Sequence, residues 1–139
     1  MNINYPLTIK FLSVGCGDGF SIRFRGDDHL FYNILIDGGV EKGNIYLETL
    51  RREIEEIMHR GECIDLWIIT HIDDDHIGGI LRFIKDKTLA QNVDLSKTSF
   101  WYNYSNYDYY TWLKDDKLIS VSQGIRLRDF LLKETHLVQ

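Results

Sequence analysis

Six consecutive residues, His71-x-Asp73-x-Asp75-His76, carry two imidazoles and, with Asp74, three carboxylates. Carboxylates this close repel one another and are costly to take out of water together. A divalent cation would stabilise them, and mixed imidazole and carboxylate donors suit Zn²⁺, Mn²⁺ or Fe better than a thiolate-seeking ion. Gly78 and Gly79 follow at once and would let backbone approach an ion or a substrate, at some expense to helix stability. The competing reading is a solvated acidic loop that caps a helix N-terminus, where Asp is favoured in any case. An EF-hand is excluded, because neither the D-x-D-x-DG spacing nor the later Glu is present.

The elements around this segment decide where it would sit. Leu7, Ile9 and Phe11 alternate with polar neighbours, as do Phe20, Ile22 and Phe24, and a third run covers Leu30 to Ile36. That is the period of half-buried strands, and it predicts a β-meander. Gly15-Cys16-Gly17-Asp18-Gly19 turns between the first two, and Asp37-Gly38-Gly39 ends the third. The period then changes: Leu47, Leu50, Ile54, Ile57 and Met58 share a helical face, with Asn44 as a candidate N-cap and Gly61 as a stop. Leu66-Trp67-Ile68-Ile69 reads as a strand buried on both faces. It leads into the acidic motif, and a helix follows on Ile77, Ile80, Leu81 and Ile84. A strand over Thr98–Tyr102 and an amphipathic segment from about Gln123 to Glu134 close the chain. One layered domain over residues 1–139, α/β or α+β, is expected.

Composition narrows the function classes. The chain has 139 residues, 44% of them apolar, with 3 Trp, 8 Tyr and 7 Phe, which is enough for a real core. Sixteen basic against 21 acidic residues leave a formal charge of -5. A general nucleic-acid coat, which needs a basic footprint, is therefore excluded; an enzyme that reaches a phosphate through a metal is not. No apolar run reaches the roughly 18 residues of a membrane span, and the N-terminus does not read as a secretion signal. Cys16 and Cys63 lack metal spacing and suit reduced thiols, so a cytoplasmic setting is expected. Eight aromatics lie between Phe100 and Trp112. They read either as a stacking wall for bases or sugars or, more simply, as a loop packed over the sheet edge.

Three segments together resemble one family. Thr70–Gly79, THIDDDHIGG, is similar to the second motif of the metallo-β-lactamase fold, usually written HxHxDH. Ser13-Val14-Gly15-Cys16-Gly17-Asp18 resembles that family's V-G-x-G-D turn, and Leu35-Ile36-Asp37-Gly38-Gly39 its first motif. Aspartate at position 73, in place of the commoner histidine, resembles the hydrolase domain of DNA-uptake competence (ComEC-like) proteins. The resemblance covers residues 7 to about 85; Ser120-x-x-Gln123-Gly124 matches only loosely.

The resemblance implies an αββα sandwich of which this chain would form the N-terminal half, a β-meander followed by strand-helix layers. It implies a metal-dependent hydrolase with two Zn²⁺, or Mn²⁺ given the extra carboxylate at Asp73. His71 and Asp73 would serve one ion, and Asp75 and His76 the other, with Asp75 in the catalytic role. Asp37 would support the motif loop without touching metal. Phosphodiesters, nucleic acid among them, are the expected substrates. The later ligands of the family are not matched, and His136 is the only histidine after His76. The chain alone is therefore expected to be catalytically silent. The rival readings are a non-catalytic half-domain that pairs with another chain or a second copy, and a lactone, thioester or β-lactam hydrolase on the same fold.

Overall fold

The computed structural model describes residues 5–102, 119–134 and 136–138. Strands β1 (Leu7–Phe11), β2 (Gly19–Arg25) and β3 (Phe31–Asp37) form the predicted antiparallel meander. Helices α1 (Ile45–Glu48) and α2 (Leu50–His59) then cross to β4 (Leu66–Ile69), which runs parallel to β3. Helices α3 (Asp74–Lys85) and α4 (Lys87–Ala90) lead to β5 (Ser99–Tyr102), and α5 (Ile119–Glu134) to β6 (His136–Val138), again in parallel. The sheet has six strands in the order β1-β2-β3-β4-β5-β6. The class is mixed α+β.

The core lies on one face of this sheet. Leu35, Trp67 and Phe100 project from neighbouring strands toward Leu50, Ile54 and Ile57 of α2, Ile77 and Ile80 of α3, and Leu127 of α5. Trp67 is fully buried, stacked on Phe100 with ring centres 5.9 Å apart and tilted against Phe83 at 5.6 Å. The other face carries three cross-strand rows. Phe11, Phe20, Ile36, Ile68 and Trp101 form the first, and Ile9, Ile22, Ile34, Leu66 and Ser99 the second. Leu7, Phe24 and Tyr32 form the third. No side chain in these rows is buried. The expectation that Leu66–Ile69 is buried on both faces is thus corrected: Trp67 and Ile69 are buried, Leu66 and Ile68 only partly. Four apolar residues in a row cannot say how many layers cover them.

Three other expectations need adjustment. The single helix after Asn44 is two, broken at Thr49 (φ -121°, ψ -89°), and Asn44 makes no side-chain cap. Gly61 does stop α2, in the left-handed conformation (φ +71°). The last helix starts at Ile119 rather than near Gln123, and β6 was not foreseen because three residues are too few to show a period. The aromatic segment from 103 onward lies outside the described residues, as does the side chain of His136.

Two buried-edge ion clusters tie the layers together and predict acid sensitivity. Burial alone would raise the Glu62 carboxyl. Hydrogen bonds from Arg23, Asn33 and Arg60 overcome that and hold it down at about 2. Asp86 is likewise opposed by burial and held at about 2 by Thr88, Arg51, Tyr46 and the Leu89 amide. A carboxyl whose folded pKa lies below its unfolded value near 4 stabilises the fold fully above that value. The contribution fades as pH falls toward 2. The urea midpoint is therefore expected to drop steeply between about pH 4 and pH 2, and Glu62→Gln should flatten that drop. A midpoint insensitive to pH in this window would show that these carboxyls are not held down.

Candidate metal centre

The motif loop leaves the carboxyl end of β4 beside the carboxyl end of its parallel neighbour β3, the place where α/β sheets open a crevice for ligands. Asp37, the last residue of β3, is 1% exposed and sits in the left-handed region (φ +54°), which Asp tolerates better than most residues. Its carboxylate has three short contacts. Oδ1 accepts from the Thr70 amide at 2.8 Å, and Oδ2 accepts from Thr70 Oγ1 at 2.6 Å and from His76 Nδ1 at 2.9 Å. Trp67 Nε1 donates to the Asp37 carbonyl at 3.1 Å, which anchors the strand end in the core.

Proton placement follows from these contacts. Thr70 has one hydroxyl proton, and the carboxylate can only accept it. Thr70 Oγ1 must therefore accept from His71 Nδ1, 2.9 Å away. His76 Nδ1 likewise donates to Asp37. In its neutral form each ring then carries its proton on Nδ1 and presents an unprotonated Nε2, the form a metal ligand requires. The two rings lie 3.6 Å apart, centre to centre. One donor atom each from Asp37, His71 and His76 falls within 4.8 Å of the others.

The free carboxylates complete the picture. His71 Nε2 lies 3.8 Å from Asp73 Oδ2, and His76 Nε2 lies 3.8 Å from Asp75 Oδ2. These gaps are too long for hydrogen bonds and close to the roughly 3–3.5 Å separating two donors that share one ion. Asp73 occupies the N-cap of α3 without making a side-chain cap, so the helix-capping alternative does not account for it. Asp74 is engaged elsewhere, accepting from Gln123 Nε2 at 2.7 Å. His76 is buried, whereas His71, Asp73 and Asp75 have side chains 48%, 61% and 43% exposed. The donor set fits a divalent cation: two imidazoles in the ligand tautomer, each beside a free carboxylate. Asp37, already accepting three hydrogen bonds, fits a supporting place better than a ligand's.

The glycine turn between β1 and β2 closes one side of the site. A side chain at Gly17 (φ +84°) would overlap the Asp75 backbone, and the Gly39 amide donates to the Asp18 carbonyl at 3.1 Å. Cys16 is exposed in this turn. Sequence reasoning missed three participants: the Thr70 hydroxyl, the Trp67 indole and Gln123. Thr70 stands inside the motif, but nothing in a single sequence reveals a hydroxyl that bridges His71 to a carboxylate 33 residues upstream.

No protein-family model matches the chain. Among solved structures it is similar to a metallo-β-lactamase from Erythrobacter litoralis with β-mercaptoethanol in the active site. That alignment has 15% identity over 71% of this chain and 39% of that one, with a TM-score of 0.35. It is also similar to the metallo-β-lactamase FIM-1 from Pseudomonas aeruginosa in the mono-zinc form. There the identity is 16%, over 69% of this chain and 42% of that one, with a TM-score of 0.33. The chain spans about two fifths of the length of these structures.

Proposed function

We propose that this chain is the metal-holding part of a hydrolase of the metallo-β-lactamase kind, nearest its competence-protein branch, acting on phosphodiesters with nucleic acid among them. The observation that carries the reading is the relay from His71 through Thr70 to Asp37 and on to His76, which leaves both Nε2 atoms bare beside free carboxylates. His71 and Asp73 would hold one Zn²⁺ or Mn²⁺, and His76 and Asp75 a second. Divalent ions there would supply a water that ionises near neutral pH and would neutralise charge building on an attacked phosphorus. Asp75, with its side chain partly exposed, would take up a proton from attacking water, while Asp37 and Thr70 would keep the imidazoles in the ligand tautomer. Two free thiols suit a cytoplasmic setting.

With two donors per ion where catalytic zinc usually has three, the chain should hold metal weakly. Elemental analysis after exhaustive dialysis is expected to give well under one equivalent, and two retained equivalents would contradict this donor assignment. Turnover is expected once further donors are supplied, as in a fusion to the C-terminal half of a family phosphodiesterase. Mn²⁺-dependent cleavage of a chromogenic phosphodiester, abolished by Asp75→Ala, would support the reading. Turnover of an ester or β-lactam instead would move it to the other hydrolases of the fold. Metal bound with no turnover of any of these would favour a binding half-domain.

A further inference from the structure

The motif loop is held from two sides. On the β3 side Asp37 holds Thr70 and His76. On the other side β5 and α5 hold the residues that lie between the proposed ligands. Gln123 Nε2, in α5, donates to Asp74 Oδ1 at 2.7 Å. Beside it Gly124 lets the helix approach the loop: a Cβ there would stand 3.0–3.3 Å from carbons of Ile72. Tyr102, at the end of β5, fixes that turn of α5 by donating its hydroxyl proton to the Gly124 carbonyl at 3.0 Å. Residues 72 and 74 thus contact α5, while His71, Asp73, Asp75 and His76 bring the donors of the candidate centre together.

Packing alone does not account for Gln123. Its side chain is buried, and its amide has one workable orientation. An ionised carboxylate only accepts, so the amide NH2 must face Asp74, and Oε1 is left buried without a donor. Residues of this chain bury that atom, so its burial does not depend on any further chain beside it. An unmet buried acceptor is costly, whereas an apolar side chain of similar length would be buried at a gain. Charge explains why a neutral donor stands here. The loop sets three carboxylates side by side, and they repel one another until a cation arrives. A Lys or Arg could also hold Asp74 but would set a positive charge near the incoming ion. We infer that Gln123 is a positioning residue of the metal centre. Through Asp74 it fixes the loop, so that Asp73 and Asp75 on either side stay aimed at the cation. Its effect on metal affinity rests on the metal-centre reading; its effect on the order of the loop does not.

Gln123→Met separates positioning from packing. It keeps the length of the side chain, and it removes both the unmet acceptor and the donor to Asp74. The urea midpoint should hold or rise, while the Mn²⁺ dissociation constant from calorimetric titration rises about tenfold, the low end for losing a residue that orients ligands. A role in packing alone would do the reverse, lowering the midpoint and sparing the affinity. Gln123→Glu combined with Asp74→Asn reverses donor and acceptor at unchanged net charge and should restore the parent's affinity. Amide hydrogen exchange without metal gives a separate readout: residues 71–76 should exchange faster in Gln123→Met than in the parent. Unchanged exchange there would overturn the inference whether or not metal binds. In a parent that binds Mn²⁺, an unchanged affinity in Gln123→Met, or a reversed pair that fails to restore it, would overturn it as well. A parent that takes up no Mn²⁺ would instead sink the metal-centre reading, and the exchange comparison would still decide whether Gln123 orders the loop.

Discussion

Asp37→Ala is expected to weaken Mn²⁺ or Zn²⁺ binding by about 10–100-fold, the usual loss when a residue that orients a ligand imidazole is removed. The Asp37 carboxylate is the common acceptor for Thr70 and His76 and, through the Thr70 hydroxyl, for His71. Without it, Thr70 can turn its proton toward His71 Nδ1, and His76 loses the bond that keeps its proton there. Each ring is then free to place a proton on Nε2, where it blocks a metal. Asp37→Asn separates this effect from simple loss of fold, because it keeps the shape and the left-handed tolerance of Asp. A single amide oxygen cannot accept all three bonds, so metal affinity should fall well before thermal stability does. Thr70→Val should weaken binding less, since it releases His71 alone. Cys16→Ala, one exposed side chain in a turn, should change little. Calorimetric titration of the four variants decides the matter, and equal affinities for Asp37→Ala and Cys16→Ala would sink the role given to Asp37.

Much of this arrangement was legible in the sequence because strand periodicity is a local signal. The alternation at Leu7–Phe11 and Phe20–Phe24 located β1 and β2, and the change of period after Asn44 located the crossover helices. The composition of the motif set the expectation of a metal centre, and the fold brings its imidazoles and carboxylates together. What stayed hidden depends on contacts between distant segments. The bond from Asp37 to His76 spans 39 residues, and that from Asp74 to Gln123 spans 49. Which face of β4 is covered depends on where α2, α3 and α5 pack, and nothing in Leu66–Ile69 records it. The break at Thr49 interrupts a stretch whose apolar residues keep their helical spacing, so the pattern alone ran straight through it.

Gly79→Ala is expected to destabilise the fold by about 3 kcal/mol, the upper end for inserting a carbon into a closely packed site. Helix propensity argues the other way, since Ala is favoured over Gly by about 1 kcal/mol in a helix interior. Packing decides the sign. Helix α3 lies on the end of β3 backbone to backbone: the Gly38 amide donates to the His76 carbonyl at 2.7 Å, and the Gly79 amide donates to the Gly39 carbonyl at 2.8 Å. A Cβ at Gly79 would overlap the Gly38 carbonyl oxygen. Because the obstacle is backbone, no side-chain rotation relieves it, and α3 must lift away from the strand end. His76 rides on the first turn of α3, so its bond to Asp37 should lengthen in the same movement. Gly79→Ala is therefore expected to lose stability and metal affinity together, unlike Asp37→Asn, in which affinity falls first. Urea midpoints and metal titrations of the two variants show the contrast. A Gly79→Ala protein as stable as the parent would mean that the strand end and the metal-motif helix are not locked through these glycines.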